Sequence, residues 1–431
     1  MKIAIIGTGL ACNVAAYRLA ADHDITVFEA DYRVGGHSNT IDVDWAGTRW
    51  AIDTGFIVFN DHTYPNFIAL LDELGVTAKP TEMSFSVSGN GGRFEYNGAG
   101  RNELFAQRLN LFRPGFHRML RDILRFNREA PALLAADEEG LSLEAYVEQN
   151  GYSREFIDRY LVPMGSAIWS ASQEKMRAMP ARFFIQFFHN HGLLRLRQRP
   201  QWRVIRGGSR CYVDKLVAGH RDRIRLSTPV QWIRRHAGFV EVKAAGSEPE
   251  FFDRVFMACH SDQALALLAD PSRDERRVLG AIKYQPNEAI LHTDESLMPQ
   301  RRLAWAAWNY QLPREPSAAV TLTYNMNILQ GLRAPVPFCV TLNNREAIDP
   351  SRVIASFDYA HPQFTGETLE AQKHHRVING EHGTYYCGAY WRHGFHEDGV
   401  VSALNALKHF EEDLSSRGER QHEQRYLRRA S

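Results

Sequence analysis

The opening of the chain restricts its fold more than any other stretch. Lys2-Ile3-Ala4-Ile5-Ile6 is a short apolar run rich in β-branched residues, suited to a strand buried on both faces. Gly7-Thr8-Gly9 follows at once, residues 13 to 21 read as a helix with small residues on the side that must approach a sheet, and Ile25-Thr26-Val27-Phe28 reads as a second strand ending in Glu29. This is a βαβ beginning, and in that setting Gly7 permits a tight turn, Gly9 lets the backbone approach a pyrophosphate, and the helix start offers oriented N–H groups. Glu29, 22 residues after Gly7, can accept hydrogen bonds from a ribose and disfavours a 2′-phosphate. The third glycine of the usual pattern is replaced by Cys12, small enough to pack there. A bare Gly-x-Gly marks only a strand-to-helix turn; its place between two strands is what points to a dinucleotide.

At 431 residues the chain is too long for one compact core and predicts two domains. With 51 basic against 50 acidic residues nothing global invites nucleic acid. The five cysteines, Cys12, Cys211, Cys259, Cys339 and Cys387, show neither disulfide nor metal-ligand spacing, so the chain reads as cytosolic with reduced thiols, and no metal is expected among its 18 histidines. The apolar start belongs to the βαβ pattern rather than to a signal peptide, and no stretch approaches the roughly 20 apolar residues that span a bilayer.

After Glu29 the sequence continues Ala30-Asp31-Tyr32-Arg33-Val34-Gly35-Gly36-His37, a glycine pair six residues past the carboxylate, and then Asp53-Thr54-Gly55-Phe56. These motifs resemble the flavin-containing amine oxidase superfamily, which includes protoporphyrinogen oxidases and phytoene-type desaturases. The resemblance implies FAD as cofactor, with Gly35 and Gly36 against its diphosphate and Thr54, Gly55 and Phe56 beside the flavin. His37 stands where an arginine or lysine usually follows the pair, so its help with phosphate charge depends on protonation. Without the resemblance, Gly55 would serve a turn.

The same resemblance carries to distant segments. Trp202 to Arg210 with Thr228-Pro229-Val230 looks like the re-entry of the chain into the FAD domain, with Val230 along adenine; alone the stretch would be a β-meander. Tyr385-Tyr386-Cys387-Gly388 reads as a closing strand, and Gly394-Phe395-His396-Glu397-Asp398-Gly399-Val400 as a helix start. There Gly388, Gly399 and Val400 would present backbone to flavin or diphosphate oxygens, and Asp398 would hold the ribityl chain or cap the helix. The implied architecture is α/β: a Rossmann-type FAD-binding domain with a parallel sheet, from residues 1–65, 200–265 and 376–431, interleaved with an α+β substrate domain from 66–199 and 266–375.

In the substrate portion, residues 101 to 130 read as an amphipathic helix with seven arginines against Glu103, Asp122 and Glu129. It could rest on an anionic membrane surface or be a solvated helix packed on a core. Phe183-Phe184-Ile185-Gln186-Phe187-Phe188 could line an apolar tunnel or be domain core. The pattern is most similar to amine-oxidase-like flavoproteins encoded beside cyclopropane-fatty-acid synthases, through Asp53 to Asn60, Ile168-Trp169-Ser170, Gly207 to Val213 and Gly394 to Gly399. That branch implies an apolar substrate such as a lipid acyl chain, dehydrogenated or desaturated by hydride transfer to the flavin. Two alternatives stand beside it: an amine or polyamine oxidase, and a non-catalytic FAD-binding partner of a fatty-acid methyltransferase. Amine oxidases of the superfamily often hold a lysine near the flavin; Asn287 to Thr293 contains none, Lys283 lies just outside, and His292 is the residue to watch as a catalytic group.

Overall fold

The computed structural model describes residues 1–89, 91–136, 140–313 and 320–430, with side chains as far as 416. The chain forms two compact units, one from residues 1–38, 212–283 and 367–431, the other from 39–211 and 284–366.

The first unit is built on a five-stranded parallel sheet in the order Ile224–Arg225, Asp24–Phe28, Lys2–Ile6, Arg254–Met257, Thr384–Tyr386. The central strand pairs on both sides, Ile5 opposite Val27 and Phe256, and Ile3, Ala4 and Ile5 are fully buried, as the uninterrupted apolar run requires. Helix Leu10–Leu19 buries Ala11, Val14, Ala15 and Ala16, whose small side chains let it lie close to the strands. A three-stranded antiparallel sheet, Val230–Arg235, Val240–Ala244 and Glu250–Phe252, completes the unit's strands.

A buried ion pair ties this unit together. Arg235 bonds both oxygens of Glu275 at 2.7 and 2.8 Å, and the Tyr386 hydroxyl donates to the same carboxylate. The side chains of Arg235 and Glu275 are at most 1% exposed. Burial alone would raise the Glu275 carboxyl; hydrogen bonds from Arg235, Tyr386 and the Ser272 N–H, with the arginine's charge, carry it below its ordinary value.

The second unit contains a seven-stranded sheet in the order Val353–Pro362, Tyr284–His292, Cys339–Leu342, Leu322–Asn325, Trp308–Gln311, Phe85–Gly89, Phe94–Asn97. Its register makes two continuous apolar rows on one face. One runs Phe357, Ala289, Leu342, Leu322, Tyr310, Val87; the other Ala355, Leu291, Val340, Tyr324, Trp308, Phe85. On the opposite face lies a buried polar row of Thr341, Thr323, Asn309 and Ser86, joined by Thr323–Thr341 and Ser86–Asn309 side-chain hydrogen bonds of 2.8 Å.

Two expectations change here. Residues 39–65 and 200–211 lie in the second unit, because Val58–Asn60 pairs with Trp202–Ile205 and because Asp53 is bonded to Ser209. Residues 266–283 lie in the first unit, which includes Glu275, and so do residues 367–375, where Thr368 bonds the Ala281 carbonyl. The stretch 101–130 is not one helix but a short helix Arg101–Leu104, a 3-10 turn Arg108–Phe112 and a helix Pro114–Glu129. Pro114 lacks the N–H that a continuing helix would need and instead starts the last element. Phe184, Ile185, Phe187 and Phe188 are buried core, while Phe183 is half-buried and stacks on Phe364 at 5.0 Å.

Removing Arg235 leaves the buried Glu275 carboxylate without a cation, whereas removing Glu275 leaves Arg235 still bonded to Asp270 at 2.8 Å. Arg235→Ala should therefore cost about 3–5 kcal/mol of stability, read by urea unfolding, against under about 1 kcal/mol for the exposed pair partner Asp274→Ala.

Candidate functional site

In the first unit the fingerprint residues converge through their backbones. Gly7 has φ +103°, its N–H bonds the Phe28 carbonyl at 2.8 Å, and an added Cβ would sit 3.4 Å from the Ala258 carbonyl oxygen. Gly9 precedes helix Leu10–Leu19 with no side-chain cap, and a Cβ there would meet nothing within 4 Å. The glycine thus leaves room beside the uncapped helix start, where its first N–H groups can receive an anion. Gly36, at φ +58°, would place a Cβ 3.2 Å from the Gly9 Cα, and Gly35, at φ +121°, would place one 2.6 Å from the Ser38 carbonyl oxygen. Only glycine fits both positions.

Thr8 links these parts: its hydroxyl donates to Glu29, and its carbonyl accepts the Gly35 N–H at 3.1 Å. Glu29 also accepts the Asp31 N–H at 2.9 Å and remains half-exposed, with lone pairs to spare for a diol. The segment 225–228 runs alongside, Arg225 O and Thr228 N bonding the Glu29 backbone at 2.9 and 2.8 Å, and delivers Val230 to the start of its strand, half-buried. Cys12 donates its thiol to the Gly7 carbonyl, so it fills by packing the place of the missing glycine. Burial pushes the Cys12 thiol up, and those of Cys259 and Cys387 to about 12, which makes them unreactive.

A second helix start meets the first. A Cβ on Gly399 would be 3.9 Å from the Ala11 nitrogen, so helix His396–Ala430 begins against the beginning of Leu10–Leu19. Asp398, 5% exposed, accepts the N–H groups of His393 and Phe395 at 3.2 and 2.9 Å and so shapes the loop that enters the helix. Burial pushes its carboxyl up to about 6 against those donors and Arg392. Val400 is buried in the core. Gly388 donates its N–H to Ser402 at 2.9 Å, and any Cβ there would strike the Tyr390 ring. His396 bonds Ser38 at 3.2 Å and the Tyr212 hydroxyl at 2.9 Å; burial takes its imidazole down to about 3, so it is neutral.

Arg33 was missed in the sequence. Its Nη2 donates to the Gly36 carbonyl at 2.8 Å and its Nε lies 3.4 Å from Asp31, but its Nη1 is buried without an acceptor. A guanidinium donor left open beside the glycine pair fits a diphosphate oxygen and supplies the cation expected of His37. His37 itself is half-buried, its ring 6.2 Å from that of His260. The Arg-x-Gly-Gly spacing was the available signal.

In the second unit the Asp53–Phe56 segment is anchored by its first residue. Asp53 accepts hydrogen bonds from Thr40 (2.6 Å), the Ser209 N–H and hydroxyl (2.8 Å each) and Gln330 (3.1 Å). Burial nevertheless lifts its carboxyl to about 6. Thr54 bonds the Asn39 carbonyl and Tyr359, and beyond it Gly55 and Phe56 emerge half-exposed, Phe56 edge-on to Phe67 at 5.4 Å.

The structure corrects the reading of His292. It is fully buried, its Nδ1 accepts the Asp294 N–H at 3.0 Å, and its Nε2 bonds Thr341 at 2.7 Å. With both nitrogens engaged it has none for a substrate, and burial takes it down to about 4. It is a structural member of the polar row. Lys283 is exposed, and strand Tyr284–His292 holds no lysine.

A glycine cradle, two convergent helix starts, a ribose-accepting glutamate and an open guanidinium define a flavin-dinucleotide protein. The model of the flavin-containing amine oxidoreductase family matches residues 9–332, and the chain belongs to that family: it is an FAD-dependent oxidoreductase. Cyclohexylamine oxidase from Brevibacterium oxydans shares the fold at 14% identity and a TM-score of 0.69, over 96% of this chain and 99% of that one. So do a putrescine oxidase bound to putrescine (15%, 0.66, 95% and 99%) and a CLA-producing fatty acid isomerase from P. acnes (15%, 0.68, 95% and 98%). No curated protein matches the sequence.

Two outcomes follow. Arg33→Met should weaken FAD binding by about 10- to 100-fold in a fluorescence titration of apoprotein, the value of a charge-assisted hydrogen bond; an unchanged Kd would show that Arg33 faces no phosphate. The imidazoles of His191, His292 and His375 are held by burial near 4 and that of His396 near 3, all below the unfolded value of about 6.5. The stability they contribute is complete above pH 6.5 and is lost as pH falls toward 4. Asp53 and Asp398, raised to about 6, gain protons in the folded state over the same range and offset only part. Thermal unfolding followed by tryptophan fluorescence should show Tm lower at pH 5 than at pH 7 by at least about 5 °C.

Proposed function

We propose that this oxidoreductase dehydrogenates an apolar substrate of the lipid acyl type, introducing a carbon–carbon double bond. The observation that carries the reading is the apolar face of the seven-stranded sheet. Its two rows hold no charged side chain, and Phe357, Tyr324 and Trp308 within them are only half-buried. Most of the face is closed core, and its half-buried aromatic side chains are the part that can meet a hydrocarbon chain and that gives an ammonium no carboxylate to pair with. The likeness in fold to a fatty acid isomerase supports an acyl substrate as well.

FAD, when bound, would supply the two-electron acceptor for the hydride lost from one C–H bond, and the second hydrogen would leave as a proton to water or to the reduced flavin. The chain's own contribution is orientation and exclusion of water. The cross-strand pair Trp308 and Tyr324, edge-to-face at 5.1 Å, and the stacked Phe357 and Tyr359 make rigid apolar walls. Strand Tyr284–His292 provides no titratable side chain to that face, since Gln285, Asn287, Ala289 and Leu291 are the residues on it. A second reading, amine oxidation, rests on the same Trp308–Tyr324 pair, because aromatic faces also attract cations.

Anaerobic reduction of the protein's flavin by phospholipid vesicles, set against a panel of amines, separates the two. Bleaching by lipid alone is expected, and Trp308→Glu, which puts a charge on the apolar face, should slow it at least about tenfold. Bleaching by amines alone, or by neither class, would overturn the acyl reading.

A further inference from the structure

The 3-10 turn Arg108–Phe112 exposes three large apolar side chains in succession around one buried amide. Leu109 is 61% exposed, Leu111 45% and Phe112 82%, while Asn110 is fully buried. Asn110 pins the turn to the edge strand Phe94–Asn97: its Nδ2 donates to the Glu95 carbonyl at 3.1 Å, and its Oδ1 accepts from Arg113 at 3.0 Å. The buried Gln107 adds a bond from the Glu95 N–H at 3.2 Å. The turn is therefore held by the sheet in a shape that keeps its leucines and phenylalanine in water, opposite to what burial of apolar surface favours.

The following helix extends the same surface. His117 Nε2 donates to the Leu111 carbonyl at 2.8 Å, which places the turn at the head of the stripe His117, Arg121, Leu124, Arg128. These four share one face by helical spacing, all are exposed, and the stripe runs about 16 Å. Of the helix's other apolar residues Phe116, Met119 and Phe126 are buried and Leu120 and Ile123 are half-buried against the core, which leaves Leu124, 52% exposed, as the one large apolar side chain on the solvent face. Among the described residues Arg108 and Arg121 have no carboxylate partner, and Asp122, which would have opposed them, is buried and accepts the Ser153 N–H.

We propose that this turn and helix stripe dock the protein on an anionic phospholipid surface, with Leu109, Leu111 and Phe112 entering the acyl boundary and Arg108 and Arg121 at the phosphate level. An exposed apolar tip flanked by guanidinium groups without a carboxylate partner, Arg108 being held only by the Asn102 and Phe105 oxygens, suits a bilayer interface, where long basic side chains reach headgroups while apolar groups lie below. A protein groove would match the apolar tip but gives no account of the unpaired arginines around it. The inference stands apart from the substrate reading, because docking is scored without turnover.

The test is cosedimentation of the flavin-loaded full chain with sucrose-filled vesicles, either phosphatidylcholine alone or equimolar phosphatidylcholine and phosphatidylglycerol, alongside sedimentation velocity without lipid. Binding to the mixed vesicles is expected to exceed binding to phosphatidylcholine, to fall at least about tenfold in the Leu109→Ser, Leu111→Ser, Phe112→Ser variant, and to fall comparably in Arg108→Glu, Arg121→Glu. Unchanged flavin absorption in the variants shows that the fold is kept. Failure of the wild type to bind mixed vesicles, or equal binding by the apolar variant, overturns the proposal. So does a lipid-free dimer that the apolar variant dissociates, which would make the patch an interface between copies of this chain.

Discussion

At Gly36 the chain passes so near Gly9 that one added carbon would lie 3.2 Å from a backbone atom, and at Gly399, in the first turn of a second helix, an added carbon would lie 3.9 Å from the Ala11 nitrogen. The cofactor-binding half depends on these close approaches. Each helix start carries unpaired N–H groups and the positive end of a helix dipole, which is unfavourable to bring together unless an anion lies between them and the open space they face. The glycines make the approach sterically possible; the diphosphate and flavin make it electrostatically sensible. Thr8 then links the carboxylate of Glu29 to the glycine pair through one hydroxyl and one carbonyl, so that the parts of the cradle are tied together. Cys12 shows how little the third fingerprint position needs: a small side chain that can close on the Gly7 carbonyl.

The other half solves a different problem with its sheet. A sheet buried on both faces must place its polar residues where they satisfy one another, and here Ser86, Asn309, Thr323, Thr341 and His292 do so in a chain across five strands. Concentrating hydrogen-bonding groups on that face leaves the opposite face free to be wholly apolar. The same economy explains Asp53, where four donors compensate one buried carboxylate and fix the direction in which Gly55 and Phe56 emerge.

Legibility in the sequence followed contiguity. The βαβ start, the glycine pair and the closing strand and helix were readable because turn, phosphate approach and helix start are local backbone demands written in adjacent residues. Arg33 was overlooked because the cation was sought after the glycine pair, at His37, and only the folded loop shows which side chain turns back to the Gly36 carbonyl. His292 was misread for a related reason: period-two alternation reveals that two faces exist, not that one is a closed polar row. The boundaries of the two units depended on pairings such as Val58 with Val204 and Asp53 with Ser209, which lie about 150 residues apart and leave no local mark. The single helix expected over 101–130 failed at Pro114, a legible break, and at Asn110, whose anchoring role exists only once the strand Phe94–Asn97 is beside it.

Charge shows most clearly why local arrangement outweighs totals. The chain is almost neutral, yet its arginines divide into sharply different populations. Arg235 is enclosed and spent on Glu275, where geometry and three further hydrogen-bonding groups offset the cost of desolvation. Arg33 is half enclosed, with one nitrogen committed to its own loop and one left for an anion. Arg121 is in water with no partner at all among the described residues. A guanidinium cannot shed its charge to suit its surroundings, so the enclosed ones must be completed by something negative, a carboxylate of the chain at Arg235 and an anion at Arg33, while Arg121 is satisfied by water and stays free to meet a charged surface.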